Sequence, residues 1–500
     1  MSGFSSKTYS TVQLGGPLSS FNELNVAELT PVAQAQFAYG INTRVVEKLT
    51  YSGGTVTNTG SLVYVGSGTS VTGSGDIALR RTLKYHAGQG TLSRATAIFD
   101  TPVANSVQLV GAGNAECGYY FGYSGSAFGI FHIEDGQREI RKLTVGTGAG
   151  TGLVTVTLNG VAVSVPVTGG SNVNRTAYEL AKYDYSNVGS GWLADAIDGT
   201  VFFLSSRPSP YTGSYSVTGS SISGSFTVIA SGAVSTGTFI SQSSWNTDKL
   251  DGTGQSRMTL NPQKGNVYQV GFQYLGFGNA YFSIEDSNTG RVVPVHTIKN
   301  TNSRTTTVLK NPQVTTRVLS VNAGNTSNVV VKTASMASFI EGKSLKLDPK
   351  FALGFSYSSL DTSNSYKPLG MIKVNRVFNS RSFFGEIDLL RVGASNVGVS
   401  PKNLTIALYR FSTISGIANF TYVDETNSAV SYATLDPTTD TLNTNGDVPL
   451  LSFQVGAESA TTVNLMDENY VVSAGTYIVV AIKTSGQVTG EFTLNWFEQQ

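Results

Sequence analysis

The sequence has one cysteine, three histidines and few charges, and each scarcity removes a class of function. A lone Cys117 leaves no internal disulfide framework and no cysteine-rich zinc site. Only His86, His132 and His296 are available as catalytic bases, and none stands near a Gly-x-Ser-x-Gly elbow between a strand and a helix. Charged residues make up 13% of the 500, against about a quarter in an ordinary soluble chain. Lys plus Arg number 33 and Asp plus Glu 32, so no global field draws in phosphate backbones or an anionic surface, and no nucleic-acid partner is expected. No window approaches about 18 uninterrupted apolar residues, which argues against a membrane span. Met1 to Lys7 has no basic region leading into an apolar core, so it does not read as a secretory signal, and synthesis in a cytosol is expected.

Apolar residues, by contrast, are plentiful at 40%, with 55 Gly against 14 Pro. Low charge with ample hydrophobicity argues against disorder and for short strands joined by tight polar turns. The fold class expected is mainly β: tandem antiparallel, jelly-roll-like β-sandwich domains with a small α+β insertion. At roughly 100 to 200 residues per domain, the length allows three or four units.

The pattern divides the chain into four. Residues 1–76, with stretches such as Tyr51-Ser-Gly-Gly-Thr and a short helical pattern near Pro31 to Ala38, read as an N-terminal arm or extended strand region packed on neighbours. Residues 77–145 and 241–343 carry alternating runs rich in aromatic and β-branched residues, and read as one β-sandwich split by an insertion. An echo between Gly129-Ile-Phe-His-Ile-Glu-Asp135 and Ala280-Tyr-Phe-Ser-Ile-Glu-Asp286 reads as two equivalent hairpins of that sandwich. Residues 146–240 form the inserted α+β module. Its clearest signal is two alternating strands around Asn159-Gly160, a pair suited to the positive φ angles of a type I′ hairpin, followed by a short helix with Asn174 as the expected N-cap. Residues 344–500 read as a C-terminal β-sandwich.

Candidate chemistry is thin. The pairs Glu134/Asp135 and Glu285/Asp286 are the best carboxylates for sugar hydrolysis, but neighbours on a strand point to opposite faces, so neither pair makes a site alone. Asp436, Asp440 and Asp447 are too dispersed for a calcium cage, and neither a metal nor a cofactor is expected. Gly146 to Gly152 precedes a strand and lacks the lysine and helix of a phosphate loop. Tyr119, Tyr120, Tyr123 and Tyr274 are candidate glycan contacts, because a ring face stacks on a sugar; the competing reading is that alternate aromatics fill the core.

Two stretches carry a resemblance. Leu83-Lys-Tyr-His-Ala-Gly-Gln-Gly90, Ala95 to Gln108 and Gly118 to Phe131 form the first; Trp245 to Gly254, Asn261 to Gly278 and Ile284 to Lys299 form the second. Together they resemble a family of virion structural proteins of large DNA viruses, algal and giant viruses among them, with relatives in marine phages. The resemblance implies a capsid, vertex or fibre component of a virion, made in the host cytoplasm and without catalytic activity. Its partners would be other copies of itself, as trimer or pentamer, and other virion proteins. A receptor- or glycan-binding fibre touching host surface glycans is the alternative, and a glycan-degrading enzyme of the particle a third reading.

Overall fold

The computed structural model describes residues 28–83, 88–168, 170, 172–343, 348–397, 402–410, 412–416, 419–444, 446–466 and 470–498. It is a mainly β protein of tandem antiparallel sandwiches with one α+β insertion.

The central sandwich faces a six-stranded sheet, in the order Leu29–Gln36, Ser335–Glu341, Thr91–Ala97, Asn266–Phe272, Ala280–Glu285 and Val292–Ile298, against a seven-stranded one. The latter runs Thr236–Ser241, Ala127–Glu134, Gly118–Ser124, Ser106–Gly113, Thr315–Asn322, Ser74–Leu79 and Val46–Tyr51. Alternation sends Val110, Phe121, Ile130 and Val318 of one sheet against Tyr268, Val270, Phe282 and Ile284 of the other. Aromatic edges tighten this core: Phe99 meets Phe128 at 5.4 Å and Phe121 meets Phe282 at 5.3 Å, both near-perpendicular.

Of the two readings of the N-terminal region, residues 28–76 follow that of an extended strand region packed on its neighbours and not that of an arm. Leu29–Gln36 pairs with Ser335–Glu341, Val46–Tyr51 pairs with Ser74–Leu79, and Phe37, Val46, Val63 and Val65 lie in the central core. Their partners sit some 300 residues away in sequence for the first pair, which is why local composition failed to reveal them. The helix expected near Pro31 is an edge strand with a register shift between Pro31 and Ala33, a place where a residue without an N–H is tolerated. The echoed segments occupy facing sheets but out of phase. Phe282 and Ile284 point into the core, whereas Phe131 lies on the outer face, 4.9 Å from Phe239.

The insertion begins before residue 146. Arg138–Thr147 is an inner strand of a four-stranded sheet with Trp192–Ile197, Thr200–Pro208 and Ser223–Ala230, and the chain has rejoined the central sandwich by Thr236–Ser241. A hairpin joins Gly152–Leu158 to Val161–Val167 through Asn159 and Gly160, at φ +50° and +81°. The helix Val173–Lys182 buries Thr176, Ala177 and Leu180. Its N-cap is Asn172, not Asn174: the Asn172 side chain accepts from the N–H groups of Asn174 and Arg175 at 2.9 and 3.0 Å.

The C-terminal sandwich packs Lys350–Leu360, Val488–Glu498, Glu386–Asn396 and Ser459–Asn464 against a second sheet centred on Lys367–Val374, Tyr477–Thr484 and Leu404–Tyr409. Phe355, Phe492, Leu494 and Trp496 face Ile372, Ile406, Val480 and Ile482 in its core.

Candidate functional site

The glycan-contact tyrosines do not reach solvent as platforms. Tyr119, Tyr120 and Tyr123 are 1%, 1% and 7% exposed, and Tyr274 is half-buried with its hydroxyl donating to the Leu309 carbonyl at 3.1 Å. The physical reason is two-sided burial: the inner face of Gly118–Ser124 meets the six-stranded sheet, while on the outer face Tyr120 lies over Gly113 beside Arg317 and donates to the Asn114 carbonyl. Alternation alone cannot report a cover contributed by distant chain.

Three of the four candidate carboxylates are paired or hold a turn, and Glu285 is exposed at the end of its strand. Glu134 pairs with Arg304 and lies 2.9 Å from His132, and Asp135 is 3.3 Å from Lys310. Asp286 accepts from the Asn288 N–H and the Thr289 hydroxyl, holding its own turn. His132 stacks on Tyr119 with centroids 4.5 Å apart, and His296 accepts from the Asn246 N–H at 3.1 Å; burial holds both below the usual histidine range. His86 lies outside the described residues. Asp436 and Asp440 cap one turn, whereas Asp447 pairs with Arg44 at 2.8 Å. Among the described residues no three His, Cys, Asp or Glu side chains cluster for a metal.

A different feature dominates the surface. From Pro208 to Thr247 there is no charged residue, and this tract supplies an edge strand to three sheets: Ser216–Thr218, Ser223–Ala230 and Thr236–Ser241. Locally the folding is simple. Gly219, Ser220 and Ser221 turn the chain at φ +94°, +46° and +61°, and the β-branched Thr227, Val228 and Ile229 extend it alongside Arg138–Thr147. The edges are open: Val228 and Val234 are 49% and 66% exposed, and most side chains between Ser216 and Thr238 face solvent. The opposite edges of two of these sheets carry exposed Lys48 and Pro166, residue types that discourage strand addition, and on the third the edge residue Asp195 is buried against Lys373. An unguarded edge offers free N–H and C=O groups to another strand. The missing charge was legible in the sequence; that three strands of the tract all end up on edges was not.

A second concavity, of about 670 Å³, lies between the insertion and the C-terminal sandwich. Phe202, Phe378 and Tyr422 supply rings, and Asp198, Glu425 and Lys142 supply polar groups. Burial raises the Asp198 carboxyl, a hydrogen bond from Thr421 lowers it, and the nearby Glu425 charge raises it further.

No family model and no curated protein sequence matches the chain. Solved structures that do match include peanut lectin with a nonamer peptide, at 9% identity and a TM-score of 0.25, covering 63% of this chain and 98% of that one. The UEA-II lectin complexed with galactose gives 9%, 0.21, 62% and 99%. The binding domain of botulinum neurotoxin serotype C1 gives 9%, 0.23, 89% and 93%. Superpositions this loose assign neither a ligand nor a site.

Proposed function

We propose that the chain is a non-enzymatic structural protein of a virus particle, a capsid, vertex or fibre component that assembles with copies of itself through the uncharged strand edges. The observation that carries the assembly reading is the exposed, charge-free run of edge strands between Ser216 and Ser241. The resemblance of Leu83 to Phe131 and Trp245 to Lys299 to virion structural proteins supports the particle. Strand addition across such an edge gives backbone hydrogen bonds a direction and a register, and the closed trimer or pentamer expected for a particle component is compatible with it.

The test is light scattering coupled to size exclusion on wild type and on a Val228→Lys, Thr238→Lys double variant. Both positions are exposed, so the lysines leave the fold intact and place charge on the two longer edges. Wild type should run as a closed oligomer and the variant as a monomer with an unchanged melting temperature. A monomeric wild type at high concentration, or a variant that still assembles, refutes the reading.

The cleft lined by Phe202, Phe378 and Tyr422 favours one further role, contact with host surface glycans, because rings beside hydrogen-bonding groups match the faces of a sugar. A glycan array probed with wild type and Tyr422→Ala tests it; identical profiles would remove the cleft from consideration.

A further inference from the structure

Outward-facing residues of the seven-stranded sheet meet the other two modules around a cavity of about 90 Å³. The central sandwich contributes Glu47, Tyr51, Asp76, Arg80 and Arg317, the insertion contributes Arg138, and the C-terminal sandwich contributes Arg376 and Ser473. Four arginines therefore face two carboxylates. Asp76 satisfies Arg317 with two hydrogen bonds, at 2.8 and 2.6 Å. Glu47 takes Arg376 at 2.9 Å and lies 3.8 Å from Arg80. Just behind the wall, Glu116 accepts from Ser382 and from the Arg138 backbone N–H, and its charge acts through space on the Arg138 guanidinium, while Arg207 donates to the carbonyls of Thr72, Gly73 and Asn322.

Among the described residues, Arg138 alone of these four arginines has no ion pair. It is 3% exposed, its Nε donates to the Ser205 carbonyl at 2.5 Å, and among the described residues no carboxylate pairs with it and no acceptor takes its two terminal nitrogens. Nearby on the same wall, the Tyr51 hydroxyl and the Ser473 hydroxyl also lack partners among the described residues. Glu116 compensates the Arg138 charge only through space, without a direct pair, so the guanidinium's terminal nitrogens are buried with no acceptor among the described residues. Every unused group here can donate, so the missing partner is an acceptor with negative charge. The volume holds about six water-sized atoms, enough for the four oxygens of a tetrahedral oxyanion with water beside it. Guanidinium nitrogens match such oxygens in spacing and charge.

We propose that this three-module junction binds a small oxyanion, a phosphate group, held by Arg138, Tyr51 and Ser473, which fixes the insertion and the C-terminal sandwich against the central one. Burial lowers the Arg138 guanidinium and pushes Tyr51 up to about 12, so the phenol stays a donor at neutral pH, and a bound anion relieves the strain on Arg138.

The experiment uses the full chain, exchanged into phosphate-free buffer and titrated at constant ionic strength with inorganic phosphate, read by calorimetry and by melting temperature. Wild type should bind saturably and melt higher. Arg138→Gln should weaken binding at least tenfold, and Tyr51→Phe, which keeps the ring, should weaken it severalfold without a change in the phosphate-free melt. If Arg138→Gln does not fold, Tyr51→Phe and Ser473→Ala carry the comparison. A parallel titration with glucose 6-phosphate separates sources: binding of phosphate alone assigns the site to the free ion, and binding of both assigns it to the phosphoryl group of a larger ligand. No saturable response in wild type, or an undiminished response in Arg138→Gln or Tyr51→Phe, overturns the proposal.

Discussion

Asp195→Asn should loosen the insertion from the C-terminal sandwich. Asp195 accepts from Lys373 Nζ at 2.5 Å and from the Arg376 N–H at 3.2 Å, with Lys373 7% and Asp195 8% exposed. Lys373 also donates to the Ala196 carbonyl at 2.7 Å and lies 4.2 Å above the Phe420 ring. Those two contacts exist in wild type already and offset nothing when the carboxylate charge is lost. Breaking one side of a buried pair costs about 3–5 kcal/mol, and because the Asn oxygen still accepts a hydrogen bond the lower end, about 3 kcal/mol, is expected. That is about a hundredfold in the opening equilibrium. A chain of several modules has no single unfolding free energy, so the readout is hydrogen exchange of Trp192–Ile197 and Val173–Lys182, elements next to this contact. Exchange there should accelerate about a hundredfold while the core strand Gly118–Ser124 stays protected. Replacing both partners, Asp195→Leu with Lys373→Met, should recover most of the loss, since an apolar pair of similar volume has no charge to strand. A single variant within 1 kcal/mol of wild type, or a double variant as loose as the single one, would refute the reasoning.

Burial holds His132 and His296 below their unfolded value, so the unfolded chain binds more protons and stability falls as pH drops below about 6.5; urea midpoints at pH 7.5 and 5.5 should differ more for wild type than for a His132→Gln, His296→Gln variant. Cys117, whose thiol donates to the Asn311 carbonyl at 3.1 Å and is pushed up to about 12 by burial, should resist thiol reagents at pH 8 until the protein is denatured; prompt native labelling would contradict its placement. Tyr119→Ala should cost about 3–5 kcal/mol as a core cavity, measured by thermal or urea unfolding. A stable Tyr119→Ala that loses sugar binding would instead restore the sequence-based reading of this ring.

What the sequence determined alone is whatever depends on neighbours along the chain. Scarce charge with abundant Gly, Val and Thr dictated short antiparallel strands, Asn159-Gly160 dictated its hairpin, and the single Cys117 left stability to packing. Local pattern placed the helix N-cap two residues late, because Asn172 and Asn174 are chemically equivalent and only the backbone angle of Asn172, φ −89° and ψ 122°, distinguishes them. The tertiary structure decided everything that depends on what covers a face. Tyr119 and Tyr120 are consecutive, so one must point away from the sandwich core, yet both are buried, Tyr120 lying on the outer face over Gly113 beside Arg317. The closing of the modules turns Glu47, Asp76, Arg138, Arg317 and Arg376, scattered over 330 residues, into one buried junction. It also leaves the strands of the tract from Pro208 to Thr247 as open edges. Strand alternation is a property of the backbone and can be read from sequence; burial of the second face is a property of the assembly of modules, and arises only when they close on one another.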